Sequence, residues 1–208
     1  MREVSIKRIC QRLTQEHGVN LGDKVALDFF AREGDWQTQY YANKVDKVHA
    51  WEINPEHKDK LRQNLPDNAI VTIGNSFDLA AQKKYFFDIV VLDNPQGCFG
   101  KDNTYCEHFE ALETSFKLLK EAGGILIFNI KTEPFNYTEK FEWQNRRNNF
   151  YSLQDASLLT KEFVIDFYKK YFSDHGYTTK LIFLEKRPQE NGLYALAAKI
   201  QRKNNELD

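Results

Sequence analysis

Cysteine is scarce in this chain of 208 residues: there are three, Cys10, Cys98 and Cys106, and no CxxC pair. An odd count without metal-ligand spacing argues against a disulfide framework and against structural zinc. It points instead to reduced thiols in a cytoplasmic compartment. Long hydrophobic runs are missing as well. The apolar stretches run to 4 to 8 residues, far below the roughly 20 that cross a bilayer, so no membrane contact is expected. Charges recur through the first 16 residues, which excludes the pattern of a signal peptide. Charge of one sign is not in excess either. Lys and Arg total 29 against 30 acids, so no global field draws the protein to nucleic acid. Repeats, linkers and low-complexity tracts are absent, and a single domain over 1–208 is expected. What is present, 41% hydrophobic and 28% charged residues, is the composition of a globular protein with an ordinary core.

The periodicity of the apolar residues supplies the elements. Residues 2–17 read as a helix, with Ile6, Ile9, Cys10 and Leu13 on one face and His17–Gly18 as its stop. Short apolar runs at 25–30, 48–53, 69–73, 86–92 and 124–130 then alternate with amphipathic stretches at 36–43, 56–64, 76–83 and 104–122. In the last of these, Tyr105, Phe109, Leu112, Phe116 and Leu119 form a stripe. Thr104 and Glu107 have capping-box spacing there, and Gly123–Gly124 is the expected stop. A further helix is expected over 155–173, with Ser152 and Asp155 at capping-box spacing. Strands at 178–185 and 193–200 follow, and the seven residues between them are too few for a parallel crossover. The expected fold is therefore α/β: a three-layer sandwich around a mostly parallel seven-stranded sheet that ends in an antiparallel hairpin. Residues 131–151 lack clear periodicity and read as a long loop or lid.

Ligands of such sheets bind beyond the carboxyl ends of the strands. After the first strand, Asp28-Phe-Phe-Ala-Arg-Glu-Gly34 brings a glycine to the start of a helix, where backbone can approach a ligand; a plain turn is the alternative. After the second, Glu52 stands 24 residues beyond Asp28, where a carboxylate can accept from both hydroxyls of a ribose or sit solvated before Pro55. After the third, the Asn75 amide can meet an adenine edge or cap the next helix. After the fourth, Asp93, Asn94 and Pro95 form a rigid shelf of acceptors able to hold an amine, or a turn chosen for its Pro and Gly.

These strings resemble the class I S-adenosylmethionine (SAM)-dependent methyltransferases, and the likeness runs from Lys24 to about Ile200. The segment 28–34 resembles the D-x-F-A-G-x-G loop that cradles SAM, Glu52 matches the ribose acid, and Gly74–Asn75 matches the Gly-Asp pair at the adenine. Asp93–Asn94–Pro95–Gln96 resembles the D-P-P-Y motif of enzymes that methylate exocyclic amines of bases. The resemblance implies SAM as cofactor, held by Asp28, Phe30, Ala31, Arg32, Gly34, Glu52, Ile53, Asn75, Ser76, Phe77 and Asp93. It implies Asp93, Asn94 and Pro95 as catalytic residues, with no metal. It also implies methyl transfer to a nucleobase nitrogen of RNA or DNA. The chain departs from the pattern at three places. Arg32 replaces the loop's first glycine, Asn75 replaces an acid, and Gln96 and Gly97 replace the aromatic that would stack on a base, a role open to Phe99. Gln96 also holds the position where cytosine carbon-5 enzymes carry their nucleophile, so Cys98 is not expected to act covalently.

Two features bear on the substrate. Residues 131–151 interleave six aromatics (Phe135, Tyr137, Phe141, Trp143, Phe150 and Tyr151) with Lys131, Lys140, Arg146 and Arg147. That mixture suits stacking on bases and meeting phosphates, or else packing a lid onto the core. Arg2, Lys7, Arg8 and Arg12 of the first helix could assist with nucleic acid. The alternatives are a methyltransferase of small molecules or proteins, and an inactive binding subunit of the same fold.

Overall fold

The computed structural model describes residues 5–134, 139–188 and 190–203. Helix α1 (Ser5–Gln11) continues through a π-helical turn to Glu16, and Ile6, Ile9, Cys10 and Leu13 are all buried, as their spacing predicts. The expected start at residue 2 lies outside the described residues. There follow β1 (Val25–Asp28), α2 (Thr38–Ala42), β2 (Lys47–Glu52), α3 (Lys58–Asn64), β3 (Ala69–Ile73), α4 (Ser76–Ala81) and β4 (Ile89–Leu92). The second half comprises β5 (Cys98–Phe99), β6 (Tyr105–Cys106), α5 (Phe109–Leu118), β7 (Gly123–Lys131), α6 (Phe141–Tyr151), α7 (Lys161–Asp174), β8 (Tyr177–Lys186) and β9 (Leu193–Arg202).

Seven strands form one sheet in the order β3-β2-β1-β4-β7-β9-β8. The first five pair in parallel, and β9 enters antiparallel between β7 and β8. Alternation along each strand divides the core into two layers. Ala26, Ile89, Val91, Ile125, Ile127 and Ala197 face α1, α2 and α3. Their neighbours Leu27, Val90, Leu92, Leu126, Phe128 and Leu196 face α4, α5, α6 and α7. Strands that bury both faces must be apolar throughout, which is why they are legible as short continuous runs.

Several expectations are corrected. The helix foreseen over 104–122 begins only at Phe109. Tyr105 and Cys106 instead pair antiparallel with Phe99 and Cys98, and Glu107, with φ 47°, bends the chain before α5 starts. The supposed capping box therefore does not form. Thr104 Oγ1 donates to the Lys101 carbonyl, and Glu107 turns into the core. Gly123 and Gly124 open β7 rather than stop a helix; a Cβ on Gly123 would stand 2.2 Å from the Ile200 carbonyl oxygen, so the close β9 backbone requires glycine there.

The helix expected from 155 starts at Lys161, where Thr160 Oγ1 accepts from the Phe163 N–H. Ser152 is the left-handed C-cap of α6, and Asp155 accepts from the Ser157 N–H, so they form no capping box. Finally, 131–151 is not one aperiodic loop. Its second half is α6, which buries Trp143, Arg147 and Tyr151 at four-residue steps. An arginine in the middle of that stripe conceals the helical period.

Candidate active site

The strand order reverses between β1 and β4, and a cavity of about 740 Å³ opens beyond the carboxyl ends of β1 to β4. That is the place where open parallel sheets hold ligands, and the volume suits a nucleoside-sized molecule. Of the residues singled out in the sequence, Phe30, Arg32, Glu52, Ile53, Asn75, Ser76, Phe77, Asp93, Asn94 and Pro95 line it. Asp28, Ala31 and Gly34 stand behind the wall.

Asp28 illustrates the difference. Its carboxylate is buried and accepts from Thr38 Oγ1 at 2.6 Å, Tyr41 OH at 3.1 Å and the Phe30 N–H at 3.3 Å. It thus fixes the loop after β1 to α2 rather than facing the cavity. Burial above all, with repulsion from Asp93 added, pushes it up to about 6 against the bonds from Thr38, Tyr41 and Phe30. Gly34, at φ +71°, allows the loop to lie on α3; a Cβ there would meet Leu61 at 2.8 Å. Arg32 also has positive φ, 49°, where glycine would be unstrained, and its side chain is exposed.

Glu52 ends β2 and holds this loop by its own backbone. Oε2 accepts from the Arg32 N–H at 2.8 Å, and Oε1 from the Asn54 N–H at 2.7 Å. Each oxygen keeps a further lone pair toward other donors. On the next strand end, Asn75 caps α4 by accepting from the Phe77 N–H at 3.0 Å, and Ser76 Oγ donates to the Phe29 carbonyl at 2.6 Å.

The shelf after β4 is more specialised than its sequence suggests. Asp93 Oδ1 accepts from Gln37 Nε2 at 3.1 Å, Asn129 Nδ2 at 2.5 Å and Arg187 Nη1 at 2.9 Å. Asn94 does not offer its side chain to the cavity in the same way. Its Oδ1 accepts from the Asn129 N–H at 3.0 Å, and its Nδ2 donates to the Pro95 and Asn129 carbonyls. Its amide thus clamps the shelf to β7, while the residue still lines the cavity. Gln96 Nε2 donates to the Asn94 carbonyl at 3.1 Å.

An aromatic wall lines the same cavity. Phe77 stacks on Tyr105 with centroids 3.8 Å apart and planes 4° from parallel, while Phe99 meets Phe30 edge-on at 5.8 Å. Phe99 and Tyr105 face each other across the β5–β6 ribbon. Tyr105 falls on the apolar stripe of the expected helix, and that spacing hides its place in the cavity wall. Arg187 and Trp36 also line the cavity without a signal in the local sequence; the guanidinium lies 5.5 Å from the Trp36 ring centre. Arg187 is 94 residues from Asp93, and no local pattern connects the two.

The segment 131–151 sends no described residue to the cavity. Trp143 and Tyr151 are core residues, Phe150 stacks on Phe109 at 3.8 Å, and Phe135 and Tyr137 lie outside the described residues. Arg147 pairs with Glu107 at 2.5 Å with both side chains fully buried, Arg146 pairs with Glu110, and Lys131 donates to the Asn191 carbonyl. These cations serve the fold. In the first helix, Arg12 is engaged by Glu185 at 2.7 Å and by Glu16, and Arg2 lies outside the described residues.

No protein-family model and no curated protein matches the sequence. Solved structures do match, and the fold is that of the class I SAM-dependent methyltransferases. TYW2 of M. jannaschii, crystallised with AdoMet, aligns at TM-score 0.53 and 17% identity over 94% of this chain and 76% of its own. An rRNA methylase from Streptococcus thermophilus aligns at TM-score 0.53 and 15% identity over 98% of this chain and 99% of its own. Trm5b from Pyrococcus abyssi aligns at TM-score 0.52 and 17% identity over 95% of this chain but 49% of its own, so this chain spans about half of that protein. At such identities the likeness is one of fold. Among the described residues no helix is long and apolar enough to cross a membrane, and no His, Cys, Asp and Glu cluster could hold a metal ion.

Proposed function

We propose that the protein is a SAM-dependent methyltransferase acting on a nitrogen of a nucleobase, with RNA as the first substrate to try. The observation that carries this reading is the cavity itself. It has an acidic residue at the end of β2, an acceptor shelf at the end of β4 and an aromatic wall, all at the reversal of strand order. When bound, SAM supplies an electrophilic methyl group on a sulfonium. Glu52 would accept from the ribose hydroxyls, Ile53 and Phe77 would flank the adenine, and Asn75 and Ser76 would hold the turn beneath it. Asp93 would orient the attacking amine and ease the charge it develops, while Pro95 stiffens the shelf. The chain's contribution is then alignment and fixed polarity, which is what displacement at a methyl group needs.

The aromatic wall supports a flat acceptor, and the RNA methylase among the similar structures supports RNA over DNA. A small-molecule acceptor is the second reading. It is favoured by the balance of cavity charges, with Arg32, Lys101 and Arg187 against Glu52, Asp93 and Glu190. A cytoplasmic setting fits three cysteines without a CxxC pair. Calorimetric titration with SAM tests the cofactor. Transfer of labelled methyl to pools of RNA, DNA and metabolites then tests the acceptor. Failure to bind SAM would end both readings, and label confined to metabolites would leave only the second.

A further inference from the structure

We propose that Cys98 and Cys106 are a redox-active pair that closes to a disulfide across the β5–β6 ribbon, behind the aromatic wall of the cavity. The two residues are direct register partners, and their sulfurs are 3.3 Å apart. The ladder decides what kind of pair they make. The Glu107 N–H donates to the Gly97 carbonyl at 2.9 Å, which makes 97 and 107 a hydrogen-bonded pair. The next pair, 98 and 106, is then of the non-hydrogen-bonded kind. The Cys106 N–H agrees: it donates to Glu110 Oε2 at 2.9 Å rather than into the ladder. In such pairs the Cα atoms approach to about 4.5 Å, within the span a disulfide bridges without backbone movement.

Alternation places the thiols away from the cavity. Phe99 and Tyr105 line it, while Cys98 and Cys106 do not. Closure therefore pins the ribbon that carries the wall without filling the site. Access is asymmetric, since Cys98 is partly exposed and Cys106 is buried. A hydroperoxide would meet Cys98 first. The Cys98 sulfur attacks the peroxide, the O–O bond breaks, and a sulfenic acid and one water form when the reagent is hydrogen peroxide. Cys106 Sγ then attacks the Cys98 sulfur. The S–S bond forms, the S–O bond breaks, and a second water leaves with the Cys106 proton. Two thiols lose two electrons and one peroxide gains them. Burial pushes both thiols up, and Glu107 adds to this while Arg146 opposes it. Both thiols are thus mostly protonated at neutral pH.

The test uses the full reduced chain and hydrogen peroxide, followed by alkylation, trypsin and mass spectrometry. The expected result is one cross-linked peptide pair joining Cys98 to Cys106 within one chain, with Cys10 alkylated and all three thiols recovered with dithiothreitol. Melting should also shift upward on oxidation and return on reduction, because the closed loop restrains the unfolded chain. Over-oxidation of Cys98 with Cys106 still alkylatable would overturn the proposal. So would cross-links between chains, or three free thiols under conditions that oxidise the unfolded chain. None of these outcomes depends on whether the protein transfers methyl groups.

Discussion

Replacing Glu52 by Gln would ordinarily count as a mild change, since shape and size are kept. Here it should not be mild. Both carboxylate oxygens accept from backbone N–H groups, those of Arg32 at 2.8 Å and Asn54 at 2.7 Å, in a side chain only 7% exposed. Glutamine has one oxygen, so whichever way its amide turns, an NH₂ group faces one of the two donors. A hydrogen bond to a charged group contributes about 1.5–3 kcal/mol, so losing one should lower stability by about 2 kcal/mol. For a domain of this size that is about 4–8 °C in melting temperature. The same exchange removes the charge that would strengthen bonds from ribose hydroxyls. Since each 1.4 kcal/mol is about tenfold in affinity, SAM binding should weaken by roughly tenfold or more. Thermal unfolding and calorimetric titration of Glu52→Gln and Glu52→Ala measure the two effects separately. Wild-type melting in the Gln variant would refute the clamp on the loop. Wild-type SAM affinity in a folded variant would refute the ribose contact even if the clamp stands.

Three further outcomes are expected. Asp93→Ala should slow methyl transfer by about 10²-fold or more, the scale of losing one preorganised polar group. SAM affinity should change much less, and single-turnover transfer with full activity would remove the amine-orienting role. Arg147→Ala strands the buried Glu107 charge and should cost about 3–5 kcal/mol, whereas Glu107→Gln with Arg147→Met should cost much less; urea unfolding of the three chains compares them. Asp28 should make stability depend on acid pH. Its proton is held to about pH 6 in the fold against an ordinary 3.8, so the folded state binds the proton more tightly in that window. Stability should therefore be greatest below about pH 4 on this account, fall by about 3 kcal/mol as pH rises to about 6, and stay level beyond. Asp28→Asn should flatten that slope, and an unchanged slope would show that the burial of Asp28 is not its source.

The inner strands of the sheet were legible because they bury both faces and so read as unbroken apolar runs. The hairpin was legible because seven residues cannot carry a crossover. Helix ends were less so. A stripe at four-residue spacing carried the expected α5 back to Tyr105, but spacing cannot register that Tyr105 has a better partner in Phe77, 3.8 Å away in space and 28 residues away in the chain. In α6 the reverse happened. The middle residue of its buried stripe is Arg147, whose charge is neutralised by Glu107 from another element. A rule that expects buried positions to be apolar passes over such a helix.

The site divides along the same line. Positions set by topology, such as Glu52 after β2 and Asp93 after β4, can be found by counting along the chain, because the strand end dictates where the residue stands. What each residue then does is set by partners that local sequence does not reveal. Asp93 and Asn94 are adjacent acceptors at one strand end and look equivalent in sequence. Asn129, on the neighbouring β7, separates them. Its backbone N–H occupies the Asn94 oxygen, while its side chain donates to one oxygen of Asp93. Gln37 links the same Asp93 oxygen to α1, since its own oxygen accepts from Ser5 Oγ and the Ile6 N–H, both at 3.2 Å. Three donors crowd Oδ1 of Asp93, and Oδ2 receives none among the described residues. A carboxylate held so firmly by one oxygen leaves the other open at the cavity it lines, and that asymmetry is why the proposed amine-orienting role is given to Asp93 rather than to its neighbour.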